Sequence, residues 1–265
     1  MSERTIKRIA IKVGTSSVTY KNGKINIGAI EKLVRLIADL KNRDIEVVLI
    51  SSGAIGIGAS KLGISGKPKT VRERQAAAAV GQCALMDLYD KLFSEYGYTI
   101  GQLLLTKDIA DVDTKRQNAK NSFFTLLDYN VVPIVNENDA ISTAEIGISN
   151  FGDNDALSAF VAVLSECDTL CIMTDRDGLY DCDPTKNENA RIISVVPEIN
   201  DEIKAHCGIS VSGVGTGGMI TKVHAAEVAT AAGIDTYFIN SQRADELYNI
   251  VEGKAFIGTF FPKKD

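Results

Sequence analysis

Histidine and cysteine are scarce in this sequence. Its 265 residues contain two histidines, His206 and His224, and neither lies in a glycine-rich or acidic cluster. This argues against a Ser-His-Asp triad and against a histidine-rich metal centre. The five cysteines are odd in number and irregularly spaced, which argues against a disulfide framework and fits a reducing compartment. Cys167 and Cys171 are predicted to be buried structural thiols, because no histidine or second cysteine pair completes a metal site.

Long apolar runs and an excess of positive charge are also missing. The richest apolar run, residues 156–164, is too short to cross a bilayer, and the charged start of the chain does not resemble a secretion signal. The formal net charge is -5, and no basic stretch is longer than residues 67–69. We therefore expect a cytoplasmic protein that binds neither nucleic acid nor a membrane.

Proline and glycine are too few for a fibrous or disordered chain, so a globular fold is expected. Short apolar runs alternate with longer helical patterns, and this alternation predicts an α/β fold with a mainly parallel sheet and helices on both faces. The predicted strands are residues 6–12, 46–51, 99–105, 131–136, 169–174 and 235–239, and predicted helices between them include residues 27–40 and 71–96. No repeat or linker interrupts the chain, which is predicted to be one unit.

Polar side chains follow four of these strands directly, at residues 12–17, 51–53, 136–139 and 174–175. Ligands of parallel α/β sheets bind at the carboxyl ends of the strands, so these clusters predict a binding site. Lys12, beside glycine and hydroxyl-bearing residues, suits phosphate oxygens, although taken alone a strand-end lysine that reaches for water explains it slightly better. Ser52 and Gly53 repeat the arrangement, and there a simple tight turn would also need glycine.

Residues 212–219 form a glycine-rich loop that precedes a helix with Lys222 in its first turn. The loop contains a formal G-x-G-x-x-G pattern. It does not open a βαβ unit with an acidic residue at the end of the next strand, which argues against nicotinamide binding. No Gly-Lys-Ser/Thr triplet closes the loop as in a Walker A motif. Backbone N–H groups, a helix dipole and a lysine nevertheless suit phosphate.

Residues 152–155 precede a predicted helix over residues 156–164. One of Asp153, Asn154 and Asp155 would cap that helix, and three polar residues together exceed what capping requires. No metal ligands are predicted, because the aspartates of residues 175–183 resemble a calcium loop that has Gly178 in the wrong position and lacks the terminal glutamate. The remaining lysines, amides and carboxylates suit phosphoryl transfer, which needs mainly alignment and charge neutralisation.

Six segments together resemble the glutamate 5-kinases of the amino acid kinase family. They are residues 11–16, 51–55, 75–82, 135–140, 152–155 and 215–219, and the resemblance covers nearly the whole chain. Asn-Glu-Asn-Asp-Ala at 136–140 and Gly-Thr-Gly-Gly-Met at 215–219 favour this family over N-acetylglutamate, aspartate, carbamate and uridylate kinases. The resemblance implies a three-layer αβα sandwich around an open sheet. Residues 1–265 would form a single domain that binds glutamate over its N-terminal half and ATP over its C-terminal half.

The resemblance also implies roles for individual residues. The catalytic group would be Lys12, Lys222 and Asp155, in which the lysines hold the migrating phosphoryl group and the aspartate positions them. The glutamate ligands would be Ser52, Asp139 and Asn154. The residues that face ATP, which would bring Mg²⁺, would be Lys12, Thr174, Asp175, Thr216, Gly217, Gly218, Met219, Ile220, Thr221 and Lys222.

Partners follow from the same resemblance. It implies L-glutamate and ATP as substrates, proline as a feedback inhibitor, a glutamyl phosphate reductase as the downstream partner, and a homo-oligomeric enzyme. The C-terminal PUA domain of many bacterial members is not expected, since the chain stops at Asp265. Residues 146–151 form a longer stretch than in the shortest members, so the loop that covers glutamate would differ.

Two other interpretations stay open at this stage. A kinase of the same fold could act on N-acetylglutamate or aspartate. Asp139 argues for a free α-ammonium group in the substrate, because acetylation removes that charge. A non-catalytic nucleotide-binding or regulatory protein is the second alternative, and it would not need Lys12, Asp155 and Lys222 together.

Overall fold

The computed structural model describes residues 6–20, 22–141, 154–207 and 218–264, in which strands and helices alternate. The strands are β1 Arg8–Val13, β2 Glu46–Ser51, β3 Ile100–Leu105, β4 Val132–Glu137, β5 Thr169–Thr174, β6 Asp235–Asn240 and β7 Thr259–Phe261. The helices are α1 Thr15–Val18, α2 Ile27–Asn42, α3 Ala54–Lys61, α4 Val71–Ser94, α5 Asp113–Asp128, α6 Asn154–Leu164, α7 Asp201–His206, α8 Met219–Ala231 and α9 Glu246–Val251. Single 3₁₀ turns lie at Lys107–Ile109 and Ser241–Arg243.

Two compact units divide the chain. The middle unit is Val13–Ile146, and the terminal unit combines Met1–Lys12 with Gly147–Asp265. Strands of the middle unit lie in the order β3-β4-β2 and are parallel. Strands of the terminal unit lie in the order β1-β5-β6-β7, in which β5 and β6 are parallel and β6 and β7 antiparallel. The predicted α/β fold with a mainly parallel sheet is confirmed.

The strands agree closely with the sequence pattern. β2 and β5 have the predicted bounds, and the other four predicted strands begin and end within two residues of the observed ones. Five of the six residues of β1 and of β2 are buried, and so are all six of β5, as is typical of parallel strands covered on both faces. The prediction omits β7. Cys167 and Cys171 are buried free thiols, as predicted, and burial raises the pKa of Cys171.

Side chains that cap helices explain where the long helices begin. The Asn26 side chain accepts a hydrogen bond from the N–H of Ala29 at the start of α2. Thr70 and Glu73 form a reciprocal capping box at the start of α4. None of the helices in the four described stretches is long and apolar enough to cross a membrane.

Two glycines allow α3 and α4 to touch backbone to backbone. A Cβ atom at Gly81 would lie 1.7 Å from the carbonyl oxygen of Ala54 and 2.6 Å from the backbone nitrogen of Gly58. A Cβ atom at Gly58 would lie 1.8 Å from the carbonyl oxygen of Ala77. These separations are far below van der Waals contact, so any side chain at either position would force the helices apart.

Gly81→Ala is therefore expected to destabilise the protein by about 2 to 3 kcal/mol, the upper range for overpacking a rigid contact. Chemical denaturation followed by circular dichroism measures this loss. Gly28→Ala is the matched control, because Gly28 is an exposed residue of α2 and a Cβ atom there would meet nothing within 4 Å. The control should be neutral or stabilising by up to about 1 kcal/mol. Equal stability of the two variants would contradict the close packing of α3 and α4.

Candidate active site

A buried ion cluster joins three elements of the terminal unit. Lys12 lies in β1, Asp155 in the first turn of α6 and Lys222 in the first turn of α8. Lys12 Nζ lies 2.6 Å from Asp155 Oδ1, and Lys222 Nζ lies 3.0 Å from Asp155 Oδ2. The Asp155 side chain is fully buried, while the lysine side chains are 4% and 12% exposed. One carboxylate therefore binds two ammonium groups, which leaves the cluster a net positive charge.

The environment of Asp155 keeps its carboxyl group ionised. Burial alone would raise the pKa of this group, but the charges and hydrogen bonds of Lys12 and Lys222 outweigh burial and hold the pKa well below its usual range. A carboxylate with so low a pKa cannot serve as a proton donor near neutral pH. Its geometry instead suits a fixed counter-ion that sets the position of both lysines.

Thr221 makes an additional contact with Asp155. Its Oγ1 atom donates to Asp155 Oδ2 over 2.8 Å and also lies 2.8 Å from the carbonyl oxygen of Gly218. Ser158 Oγ donates to the backbone carbonyl of Asp155 over 2.6 Å, within α6. The sequence motif assigned Thr221 to ATP and did not reveal its contact with the aspartate.

The start of α8 carries most of the predicted ATP contacts. Gly218 is the N-cap residue and forms no side-chain cap, and Met219, Ile220, Thr221 and Lys222 make up the first turn. The first N–H groups of a helix have no partner within the helix, so they suit an anion. Thr216 and Gly217, which were also predicted to contact ATP, lie outside the described residues.

The start of α6 differs from the sequence prediction. The helix begins at Asn154 rather than at residue 156, so Asn154 and Asp155 are helical residues and not its N-cap. The remaining capping candidate, Asp153, lies outside the described residues, as do residues 146–151. Asp155 binds the two lysines instead of capping the helix. Its charge is nevertheless well placed, because a helix N-terminus favours an anion.

Thr174 and Asp175, also predicted to face ATP, stand at the carboxyl end of β5. Thr174 is buried, and its Oγ1 atom accepts a hydrogen bond from the N–H of Arg176 over 2.8 Å. Asp175 is exposed. In the parallel register Thr174 pairs with Asn240, so the carboxyl ends of β5 and β6 lie side by side.

Sequence reasoning assigned no site role to three polar residues at this strand edge. Asp177 Oδ1 accepts a hydrogen bond from Asn240 Nδ2 over 2.9 Å and lies 3.4 Å from Arg243 Nε. The available signal was the same one that identified Thr174, since Asn240 is the polar last residue of an apolar strand. The three side chains form a small polar cluster beside the predicted nucleotide residues.

A cavity of about 350 Å³ lies in the middle unit beside the carboxyl ends of β3 and β4. This volume falls within the usual range of small-molecule sites. Asp139, a predicted glutamate ligand, lines the cavity. Its other polar lining residues are Gln82, Gln102, Asn136, Glu137 and Asn138.

The two other predicted glutamate ligands lie elsewhere in the chain. Ser52 is a buried residue that follows β2 in the middle unit, and its N–H donates to the carbonyl oxygen of Val13 over 3.2 Å. The turn needs Gly53, which has φ 104° and would bring a Cβ atom 2.5 Å from Val18 Cγ2. Asn154 belongs to the terminal unit.

Residues 7–240 match the amino acid kinase family. The chain is 52% identical over 259 residues to a glutamate 5-kinase of Clostridium perfringens (strain 13 / Type A), and the match covers 97% of this chain and 96% of that protein. It is 42% identical over 261 residues to a glutamate 5-kinase of Lactococcus lactis subsp. lactis (strain IL1403), covering 98% of this chain and 96% of the relative.

Solved structures of low sequence identity have the same fold. A UMP kinase from Ureaplasma parvum superposes with a TM-score of 0.66 at 15% identity, over 98% of this chain and 100% of the other. A T. acidophilum isopentenyl phosphate kinase product complex superposes with a TM-score of 0.64 at 18% identity, over 96% of this chain and 99% of the other.

Proposed function

Because the chain belongs to the amino acid kinase family, and within it to the glutamate 5-kinases, we propose that it transfers the γ-phosphoryl group of ATP to the side-chain carboxylate of L-glutamate. The product is L-glutamyl 5-phosphate, the first intermediate of proline biosynthesis. One observation carries the mechanistic proposal, namely the buried cluster of Lys12, Asp155 and Lys222.

This cluster suits the chemistry of the reaction. A glutamate carboxylate is already ionised at neutral pH, so it attacks phosphorus without a general base. The main obstacle is the repulsion between two anions. Lys12 and Lys222 offset this negative charge from a buried site, where electrostatic interactions are strong. Asp155 holds both ammonium groups in place before the substrates arrive, so little reorganisation is needed during the reaction.

We infer that the nucleotide binds in the terminal unit. Thr174 and Asp175 stand at the carboxyl end of β5. Helix α8 starts after Gly218, and its first turn combines backbone N–H groups with the positive charge of Lys222, which suits phosphate oxygens. Thr216 and Gly217, which precede Gly218 in the sequence, are part of the same proposal. Mg²⁺ would arrive on the ATP phosphates and add to the neutralisation of their charge. Within the four described stretches, no group of three or more His, Cys, Asp or Glu residues could hold a metal by itself.

We infer further that the amino-acid end of glutamate binds in the cavity of the middle unit. Asp139 lines this cavity and would pair with the α-ammonium group. A substrate with an acetylated nitrogen has no positive charge to pair with that carboxylate, so it would lose the binding energy of this ion pair. Ser52 and Asn154 are proposed as the other glutamate ligands.

The same family membership supports a wider set of proposals. Residues 1–265 would act as a single amino acid kinase domain with a glutamate-binding N-terminal half and an ATP-binding C-terminal half. The enzyme would be a cytoplasmic homo-oligomer, inhibited by proline, that hands its product to a glutamyl phosphate reductase.

Added proline should raise the KM for glutamate, because proline is proposed to compete with glutamate. Initial rates at varied glutamate, with and without proline, measure this change. Activity that is unaffected by saturating proline at limiting glutamate would exclude this form of inhibition.

The substrate assignment is tested by trapping the acyl phosphate product with hydroxylamine. Purified protein with ATP and Mg²⁺ should form a hydroxamate from L-glutamate, and much less from N-acetylglutamate or L-aspartate at equal concentration. Consumption of ATP without any acid serves as the blank. Equal or greater turnover of N-acetylglutamate would contradict the assignment. ATP binding without turnover of any of the three acids would favour the regulatory alternative.

A further inference from the structure

We propose that Gln82 is a positioning residue for the amino-acid substrate and acts through its hydrogen bond to Asn136. This inference rests on the proposed function, because it concerns the cavity assigned to that substrate. Gln82 lies in the middle of α4, and Asn136 is the next-to-last residue of β4. Asn136 Nδ2 lies 3.0 Å from Gln82 Oε1, and the two residues are 3% and 8% exposed, respectively.

Each of the two amides lies next to buried apolar residues of its own helix or strand. Their buried neighbours include Ala78 and Leu85 on α4 and Ile134 and Val135 on β4. Burying an amide costs free energy unless it is hydrogen-bonded, and an apolar pair of similar size would fill the space without that cost. Packing alone therefore does not explain the pair, and its position at the cavity provides the reason.

Asn136 marks the point where β4 passes into the polar segment of the cavity wall. Glu137, Asn138 and Asp139 follow it directly and all line the cavity. The N–H of Asn138 donates to the carbonyl oxygen of Leu105 over 2.8 Å, so the segment stays attached to the end of β3. The hydrogen bond from Gln82 attaches the same segment to α4. Two separate contacts thus fix the chain that places Asp139 in the cavity.

The α4 backbone offers a rigid anchor for this contact. Gly81, the residue before Gln82, has no space for a Cβ atom because it lies against Ala54. Tyr89, two turns further along α4, is fully buried, and its hydroxyl lies 3.0 Å from Ser51 Oγ at the end of β2. Burial raises the pKa of this tyrosine to about 12, so its hydroxyl stays protonated. A helix held on both sides of Gln82 can keep Asn136 in one orientation.

Gln82→Met tests the proposal, since methionine retains most of the length and volume but cannot bond to Asn136. The KM for glutamate should rise by about tenfold, the effect of one buried hydrogen bond, while kcat and the KM for ATP stay within about threefold. Gln117→Met is the matched control. Gln117 is an exposed residue of α5 whose side chain donates to Asn121 one turn later, and its replacement should leave both KM values unchanged.

A double-mutant cycle shows whether Gln82 acts through Asn136. In the background of Asn136→Leu, the further change Gln82→Met should alter the KM for the acid by less than about twofold, because the partner is already gone. Asn136→Ala replaces Asn136→Leu if thermal melting shows that the leucine variant is unfolded at the assay temperature. If the KM of the double variant instead rises by the product of the two single fold-changes, the proposal is overturned.

The measurements separate this proposal from the substrate assignment. Wild-type protein is first tested with glutamate, N-acetylglutamate and aspartate, and the cycle uses the acid that it turns over best. A different preferred acid overturns the assignment to glutamate and leaves the role of Gln82 to be decided by the cycle. If wild-type protein turns over none of them, the shift in melting temperature caused by L-glutamate replaces KM as the readout. An unchanged KM or melting shift in Gln82→Met, or an equal loss of ATP affinity, contradicts a positioning role.

Discussion

Replacement of Lys222 by alanine is expected to lower kcat by about 10²- to 10³-fold, as for other donors that act on the transition state. The reason is that its ammonium group lies 3.0 Å from Asp155 in a side chain only 12% exposed, where a positive charge interacts strongly with charge that develops on a phosphoryl group. Lys12→Ala should have an effect of the same order, because Lys12 contacts the other oxygen of the same carboxylate. Initial rates at varied ATP and glutamate measure kcat and both KM values.

Two further variants are compared with Lys222→Ala. Lys204→Ala removes a lysine of α7 that pairs with Glu227 over 2.9 Å, but whose side chain is 38% exposed, so kcat should stay within about twofold of wild type. Asp139→Ala should mainly raise the KM for glutamate, since its proposed partner is the α-ammonium group rather than the phosphoryl group. The assigned roles are wrong if Lys222→Ala changes only the KM for ATP while Asp139→Ala lowers kcat alone. Thermal melting confirms that each variant is folded.

The strands could be predicted because the sequence signals were local. β2 and β5 each contain four consecutive buried apolar residues, which are followed by a serine in β2 and a threonine in β5, so both their type and their bounds are evident from the sequence. β7 has three residues and pairs antiparallel at the edge of the sheet, and so short a run lacks a clear pattern. The start of α6 was predicted two residues late, because Asn154 and Asp155 interrupt its apolar character.

The site was harder to predict, because its contacts join distant parts of the chain. Lys12 and Asp155 are 143 positions apart, and Asp155 and Lys222 are 67 positions apart. Local pattern marks each of them as a polar residue at the end of an apolar element, and only the family resemblance suggested that they act together. The pair Gln82 and Asn136 had the same kind of signal, since each is a polar residue next to buried apolar residues of its own helix or strand. Nothing in the pattern revealed that the two touch.

Asp155→Asn is expected to lower kcat about as much as the lysine variants do, by about 10²-fold or more. Asparagine keeps the shape of the side chain but removes the charge shared by Lys12 and Lys222. One of its two terminal atoms becomes an NH₂ group, which donates hydrogen bonds and faces an ammonium group that also donates. The lysines would then repel each other without a counter-ion, and both would move from the positions required for catalysis.

The stability difference between Asp155→Asn and wild type should depend on pH, because the substitution removes a titratable group. Displacement of a side chain without loss of a titratable group would not cause this dependence. The pKa of Asp155 is depressed in the folded protein, so its contribution to stability is fully present above the unfolded pKa of about 3.9 and is lost as pH falls through the lower folded pKa. At pH 7 the variant should lose about 3 kcal/mol or more, as expected when one partner of a buried ion cluster is removed. The difference from wild type should shrink below about pH 4, because the unfolded wild-type chain then binds a proton at Asp155 that the folded protein still excludes, which lowers the stability of wild type toward that of the variant.

Urea denaturation at pH 7 and near pH 3 measures both stability differences, and Asp87→Asn provides the matched control. Asp87 forms an ion pair with Lys91 over 2.7 Å, but both side chains are more than half exposed, at 62% and 68%, so its loss should cost less than about 1 kcal/mol. Burial is the property that separates the two aspartates, because each accepts a short hydrogen bond from a lysine. If Asp155→Asn were as stable as Asp87→Asn at pH 7 and kept its kcat, Asp155 would not be the counter-ion that positions the catalytic lysines. A stable variant with a strongly reduced kcat would instead show that the charge serves catalysis and adds little to folding.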